Sequence, residues 1–181
     1  MVIIHNFDYI ILNAIQQSLR CEFLDSFTLF LSYVTTSGII WVVAGIVMLF
    51  SRKHRASGII MLVSLTVVFL TGDVLLKHLV NRPRPFTVNT DIALLIEPPS
   101  GSSFPSTHSA FAAASTTVLL ARNKLLGFIV TVITVCIAFS RLYLYVHYPT
   151  DVLAGLMLGT ICASMILVLA KQTGLERKIL R

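Results

Sequence analysis

Three short stretches of this chain gather the side chains that can do chemistry. The richest is Ser140-Arg141-Leu142-Tyr143-Leu144-Tyr145-Val146-His147-Tyr148-Pro149-Thr150-Asp151, at the end of a long apolar run. Charged groups left unpaired beside hydrocarbon are costly, so their presence there marks function. A carboxylate in the turn after an imidazole can take its Nδ1 proton and leave the Nε2 lone pair free to attack phosphorus. Asp151 stands in that relation to His147; the bland alternative is a His–Asp capping pair at a turn between helices.

The second stretch runs from Lys77 to Pro85 and closes another apolar segment with Arg82-Pro83-Arg84-Pro85. Prolines cannot continue the helix, and each biases the preceding Arg toward extended backbone. Asp73, one turn before Lys77, can pair with it. The remaining positive charge needs an anion, and guanidinium forks match phosphate oxygens two at a time. Snorkelling to lipid headgroups is the competing reading. The third stretch, Phe104-Pro105-Ser106-Thr107-His108-Ser109, opens a further apolar run. Ser106 there signals a helix N-cap, whose free N–H groups attract anions. His108, one turn inside, is placed either to give a proton to a leaving oxygen or to be an ordinary helix residue.

The elements that must position these stretches belong to a membrane. Of 181 residues, 56% are hydrophobic and 12% charged, and the mean hydropathy is +0.86. A soluble domain would carry roughly a quarter charged residues. The expectation is an all-α polytopic bundle forming one membrane domain over 1–181. Apolar spans run over 38–51, 56–80, 105–122, 125–146 and 150–170, the first extending back through 27–34 across Thr35-Thr36-Ser37-Gly38. Five or six segments then cross. Residues 6–19 place Phe7, Ile10, Ile11, Ala14, Ile15 and Leu19 on one helical face, the pattern of an interfacial or half-inserted helix. The chain thus divides into N-terminal helices (1–36), a catalytic core (37–171) and a basic tail (172–181). Asp8 and the missing basic n-region argue against a cleavable signal peptide. Cys21, Cys136 and Cys162 form no ligand set and read as core or interface residues, and no Asp/Glu/His group has the spacing of a metal site.

Charge sets the expected orientation. Arg52, Lys53, Arg55, Arg122, Lys124, Lys171, Arg177, Lys178 and Arg181 cluster at one set of helix ends, which the positive-inside rule assigns to the cytoplasm of a plasma membrane. The three reactive stretches then face outward and the C-terminus inward. Such placement also excludes a nucleic-acid partner and leaves the bilayer as the surroundings. Tyr143, Tyr145 and Tyr148 fit an aromatic belt at the outer interface. The long loop 86–103 is either a substrate rim or a slack connector, with Ala93-Leu94-Leu95-Ile96 dipping into the headgroups.

In these residues the chain resembles the type 2 phosphatidic acid phosphatase superfamily of membrane phosphatases. The family's Lys-x6-Arg-Pro motif matches Lys77, Arg84 and Pro85. Its Pro-Ser-Gly-His matches Pro105, Ser106 and His108, with Thr107 in place of Gly. Its Ser-Arg-x5-His-x3-Asp matches Ser140, Arg141, His147 and Asp151. The resemblance implies a metal-independent, cofactor-free phosphatase working through a phosphohistidine. His147 would be the nucleophile, Asp151 its orienting partner, and His108 the proton donor to the leaving group. Lys77, Arg84, Arg141, Ser106 and the Thr107 amide would hold the phosphoryl oxygens, with Arg82 and Ser140 auxiliary. A Cβ at 107 restricts close approach to that amide. The implied substrate is a phospholipid or polyprenyl phosphate, foremost undecaprenyl diphosphate. Phosphatidylglycerophosphate, phosphatidate and lipid A phosphates are alternatives. A non-catalytic phosphate-lipid binding protein or transporter, and a soluble-substrate phosphatase or vanadate-dependent oxidase relative, complete the field.

Overall fold

The computed structural model describes residues 2–174, and within them all regular structure is helical. α1 (Val2–Ser18) leads to α2 (Glu22–Val34), a 3-10 turn (Thr36–Gly38) and α3 (Ile39–Leu49). α4 (Arg55–Val68) runs on through a π-helical stretch, Phe69–Leu76, into α5 (Lys77–Val80). The short α6 (Pro85–Val88) precedes α7 (Thr107–Arg122), α8 (Lys124–Tyr143) and α9 (Pro149–Gln172). The breaks follow from residue types. Asn81 adopts φ 43 to end α5, as Asn tolerates. Asn123 caps α8 by accepting the Leu126 N–H at 3.1 Å, and Pro149 opens α9 where its missing N–H costs nothing.

α7 is the axis of the bundle, packed against α9, α8 and α4. Its Ala110, Ala112, Ala114 and Val118 are buried. α9 meets it through Gly155 and Gly159. A Cβ at Gly159 would lie 2.0 Å from the Ala110 carbonyl oxygen, and one at Gly155 2.4 Å from that of Ser106. Small residues one turn apart let helix backbones touch, the packing that works where lipid offers no hydrophobic drive. That contact brings the start of α7 against the start of α9, where the Ser106 N–H donates to the Asp151 carbonyl at 3.0 Å.

The segment Arg55–Val88, α8 and α9 are long and apolar enough to cross a membrane, and α2 with α3 adds a fourth span if that pair, bent by 51°, is counted as one. The expected 105–122 span is shorter, because Pro105 and Ser106 stay outside the helix. Leu125, Phe128, Val132 and Val135 on α8, and Leu153, Met157, Ile161 and Met165 on α9, are exposed, a surface that suits hydrocarbon. Residues 175–181 of the expected basic tail lie outside the described residues.

α1 turns most of its expected apolar face away from the protein: Phe7, Ile10 and Leu19 are exposed, whereas Ile15 of that face is buried together with Asp8 and Leu12. It lies across the end of α8 and the start of α9, with Gln16 Nε2 donating to the Tyr143 carbonyl at 2.7 Å and Tyr9 Oη 3.0 Å from Tyr148 Oη. The aromatic belt is not there. Tyr143, Tyr145 and Tyr148 are all fully buried, because α1 and the long loop cover them, and Tyr143 Oη donates to Asp25 Oδ1 at 2.6 Å. Nor is the loop slack: Phe86, Ile92 and Leu94 pack on Leu12, Tyr145 and Tyr148.

Candidate active site

A cavity of about 450 Å³ opens where these helix ends converge, and Lys77, Arg84, Thr107, His108, Arg141 and His147 all line it. The π-helical stretch and α5 deliver Lys77, the extended segment before α6 delivers Arg84, and the first turn of α7 delivers Thr107 and His108. The last turn of α8 supplies Arg141 and the α8–α9 connection supplies His147. Ser32, Thr36, Phe69 and Phe111 also line it, Thr36 and Phe69 from exposed positions, together with Ile96 and Pro99 of the long loop.

The cavity lining carries more cations than acids: Lys77, Arg84 and Arg141 face one carboxylate, Asp73, which pairs with Lys77. Arg84 is held by backbone alone: Nε donates to Gly101 O at 3.0 Å, Nη1 to Val146 O at 3.0 Å and Nη2 to Ser100 O at 3.1 Å. Arg141, 2% exposed, donates from Nε and Nη2 to Ser140 Oγ at 3.1 and 3.0 Å. Neither guanidinium has a carboxylate within salt-bridge distance among the described residues. Buried cations of this kind are unfavourable until an anion arrives.

Lys77 is different. Its Nζ donates to Asp73 Oδ1 at 2.5 Å and to Thr107 Oγ1 at 2.8 Å, and Thr107 Oγ1 donates to the same carboxylate oxygen at 2.8 Å. The side chain that replaces the family's usual Gly is therefore built into the lysine's mooring. His108 lines the cavity and makes no hydrogen bond within the described residues.

His147 departs from expectation. Its Nδ1 lies 2.7 Å from the Ser103 carbonyl oxygen, whereas Asp151 Oδ2 is 3.8 Å away, too far for a hydrogen bond. A carbonyl only accepts, so Nδ1 carries the proton and Nε2 keeps its lone pair. Asp151 acts one step removed: its Oδ2 accepts the Ser103 hydroxyl and the Tyr148 N–H at 2.9 Å. Burial lowers the His147 pKa below 6.5, and Arg84 and Arg141 lower it further, outweighing the pull of Asp151.

One expected phosphate ligand, Ser106, and the two auxiliary residues, Arg82 and Ser140, have protein partners instead. Arg82 donates to Asp151 Oδ1 and Asp8 Oδ2, both at 2.6 Å, and lies 3.9 Å over the Tyr148 ring, so its charge is spent on two carboxylates. The Ser106 hydroxyl is buried against Ser109 Oγ at 3.0 Å and makes no cap bond. Ser140 serves as the acceptor that aims Arg141. Ser103 is not among the residues the sequence singles out, and Asp8 enters there only as an argument against a signal peptide. Ser103 carries no motif signal, but a lone acid on an apolar helix face was a usable one.

A family model described as the PAP2 superfamily matches residues 57–174, which hold every motif residue of this cavity. The chain belongs to the PAP2 superfamily. It is 30% identical over 141 residues to an undecaprenyl-diphosphatase of Sulfolobus acidocaldarius, covering 77% of this chain and 68% of that one. Against the undecaprenyl-diphosphatase BcrC of Bacillus subtilis it is 34% identical over 112 residues, 61% of this chain and 55% of the relative. The crystal structure of a transmembrane PAP2-type phosphatidylglycerolphosphate phosphatase from Bacillus subtilis superposes with a TM-score of 0.79 at 28% identity, over 95% of this chain and 88% of that one. This PAP2 protein is therefore a helical membrane protein, and α1 to α3 precede the residues that the family model matches.

Proposed function

We propose that this protein is a membrane lipid phosphatase that releases phosphate from undecaprenyl diphosphate, leaving undecaprenyl phosphate, through a phosphohistidine. One observation carries the reading: Arg84 and Arg141, neither within salt-bridge distance of a carboxylate among the described residues, share a cavity with an imidazole whose Nδ1 is held on a carbonyl oxygen. His147 Nε2 attacks the terminal phosphorus as the bond to the bridging oxygen breaks, and His108 gives that oxygen its proton. Arg84, Arg141, Lys77 and the first N–H groups of α7 hold the charge that develops on the phosphoryl oxygens. Water then attacks the phosphohistidine, His108 takes its proton, and inorganic phosphate leaves. Asp151 positions His147 through Ser103. Phe69, about half exposed to the lipid side, lines the same cavity and gives an apolar chain a way out.

The site faces outward in this proposal. Arg55, Arg122, Lys124 and Lys171 sit at the helix ends opposite the motifs, which the positive-inside rule favours as cytoplasmic. Five crossings follow, by the bent α2–α3 pair, α4–α5, α7, α8 and α9, with α1 lying along the outer surface. Purified protein with chelator present should release phosphate from undecaprenyl diphosphate. Release from none of the candidate lipids would remove the enzyme reading. Phosphatidylglycerophosphate is the second reading, favoured by the structural neighbour's similarity over nearly the whole chain, and the same assay ranks the two.

A further inference from the structure

The carboxylate network behind His147 reaches beyond the residues that the family model matches, into α1. Asp8 is fully buried although it sits on a helix whose other face is exposed and apolar. Its Oδ2 accepts from Arg82 Nη2 at 2.6 Å and from Thr150 Oγ1 at 2.8 Å, and its Oδ1 from the Thr150 N–H at 3.0 Å. Arg82 Nη1 in turn donates to Asp151 Oδ1 at 2.6 Å. Asp151 accepts the Ser103 hydroxyl, and the Ser103 carbonyl fixes Nδ1 of His147. A continuous line of hydrogen bonds joins the N-terminal helix to the imidazole.

Docking α1 does not require this acid. Leu12 and Ile15 already bury an apolar strip, and Tyr9 and Gln16 already bond across to Tyr148 and Tyr143. A buried carboxylate is costly unless its partners repay it. Here the partner is a planar fork caught between two carboxylates on different elements, which fixes the guanidinium and, through it, the carboxylate of Asp151.

We infer that Asp8 is a positioning residue, holding His147 in its attacking orientation through Arg82, Asp151 and Ser103, so that α1 belongs to the catalytic apparatus. The inference rests on the phosphatase reading. Its test compares Asp8→Asn, Asp151→Asn and the double variant of the full chain, purified in detergent and turning over undecaprenyl diphosphate, with the exposed Asn13→Ala as control. Asp8→Asn should lower kcat on the order of 10-fold to 100-fold, as small misplacements of reacting groups do. KM and inhibition by inorganic phosphate should stay at wild-type values, because Arg84 and Arg141 are untouched. The double variant should be no slower than Asp151→Asn alone, since residues acting in one line are not additive. Gln16→Ala, which loosens α1 without touching the line, should keep kcat.

Wild-type kcat in Asp8→Asn overturns the inference. So does a double variant slower by the product of the single losses, or a Gln16→Ala loss equal to that of Asp8→Asn. If Asp8→Asn does not fold, Asp8→Glu, which keeps the charge and displaces it, is read the same way: reduced kcat with unchanged phosphate inhibition supports the role, and wild-type kcat refutes it. A wild-type protein without any turnover would instead bring down the phosphatase reading itself.

Discussion

Arg82 and Arg84 stand two residues apart, each followed by a proline, and the fold gives them opposite surroundings. Arg82 is clasped by Asp8 and Asp151 and stacked on Tyr148. Arg84 is held by three backbone carbonyls and, among the described residues, by no acid. Carbonyl dipoles orient a guanidinium without cancelling its charge, whereas carboxylates do both. The available cation of this site is therefore decided by what kind of oxygen holds it. The same contrast separates the two halves of the site: a floor of Arg84 and Arg141 that awaits an anion, and a satisfied network of Asp8, Arg82, Asp151 and Ser103 that aims His147.

The hardest test removes the group both halves serve. His147→Ala should abolish turnover and phosphoenzyme trapping; a few-fold loss would break the nucleophile assignment. Next comes the floor. Arg84→Gln or Arg141→Gln should cost roughly 10²–10³-fold in kcat, the scale for losing one charge-stabilising donor. Each should also abolish the rise in thermal unfolding temperature that inorganic phosphate gives the wild type. Arg82→Gln should behave oppositely, keeping phosphate protection but losing about 3–5 kcal/mol of stability, because Asp8 and Asp151 are left buried and uncompensated. Equal effects of the two substitutions on phosphate protection would erase the contrast.

The pH response is subtler. Because the folded protein holds His147 below its unfolded value of 6.5, the unfolded chain takes up the proton first, and stability is lost as pH falls through 6.5. Phosphohistidine formation, which needs the neutral ring, should persist to pH values below 6.5 before its acid limb. An acid limb above that value would mean the ring is not held neutral. The smallest effect is expected at Thr107. Thr107→Gly restores the family's usual residue but unties Lys77 from its hydroxyl, so KM should rise by less than the 10-fold that about 1.4 kcal/mol represents. A larger loss would show that the hydroxyl itself meets substrate.

Much of the site was legible because its motifs are local. Lys77, Arg84, Thr107, His108, Arg141 and His147 all reach the cavity, as their spacing at helix ends required. The parts that were not legible depend on distant partners. Ser103 displaces Asp151 as the direct contact of His147, Asp8 captures Arg82, and the three tyrosines expected at the interface lie buried beneath α1. A tyrosine at the end of an apolar span reads the same whether lipid or another helix covers it.

Sequence alone determined the membrane setting, the helical class and the residues that could handle phosphate, since hydropathy, periodicity and short motif spacings are properties of neighbouring residues. Only the tertiary structure decided which arginine keeps its charge for substrate and which ring nitrogen is free. Those outcomes depend on acceptors dozens of residues away, brought within hydrogen-bond distance where Gly155 and Gly159 let α9 close on α7.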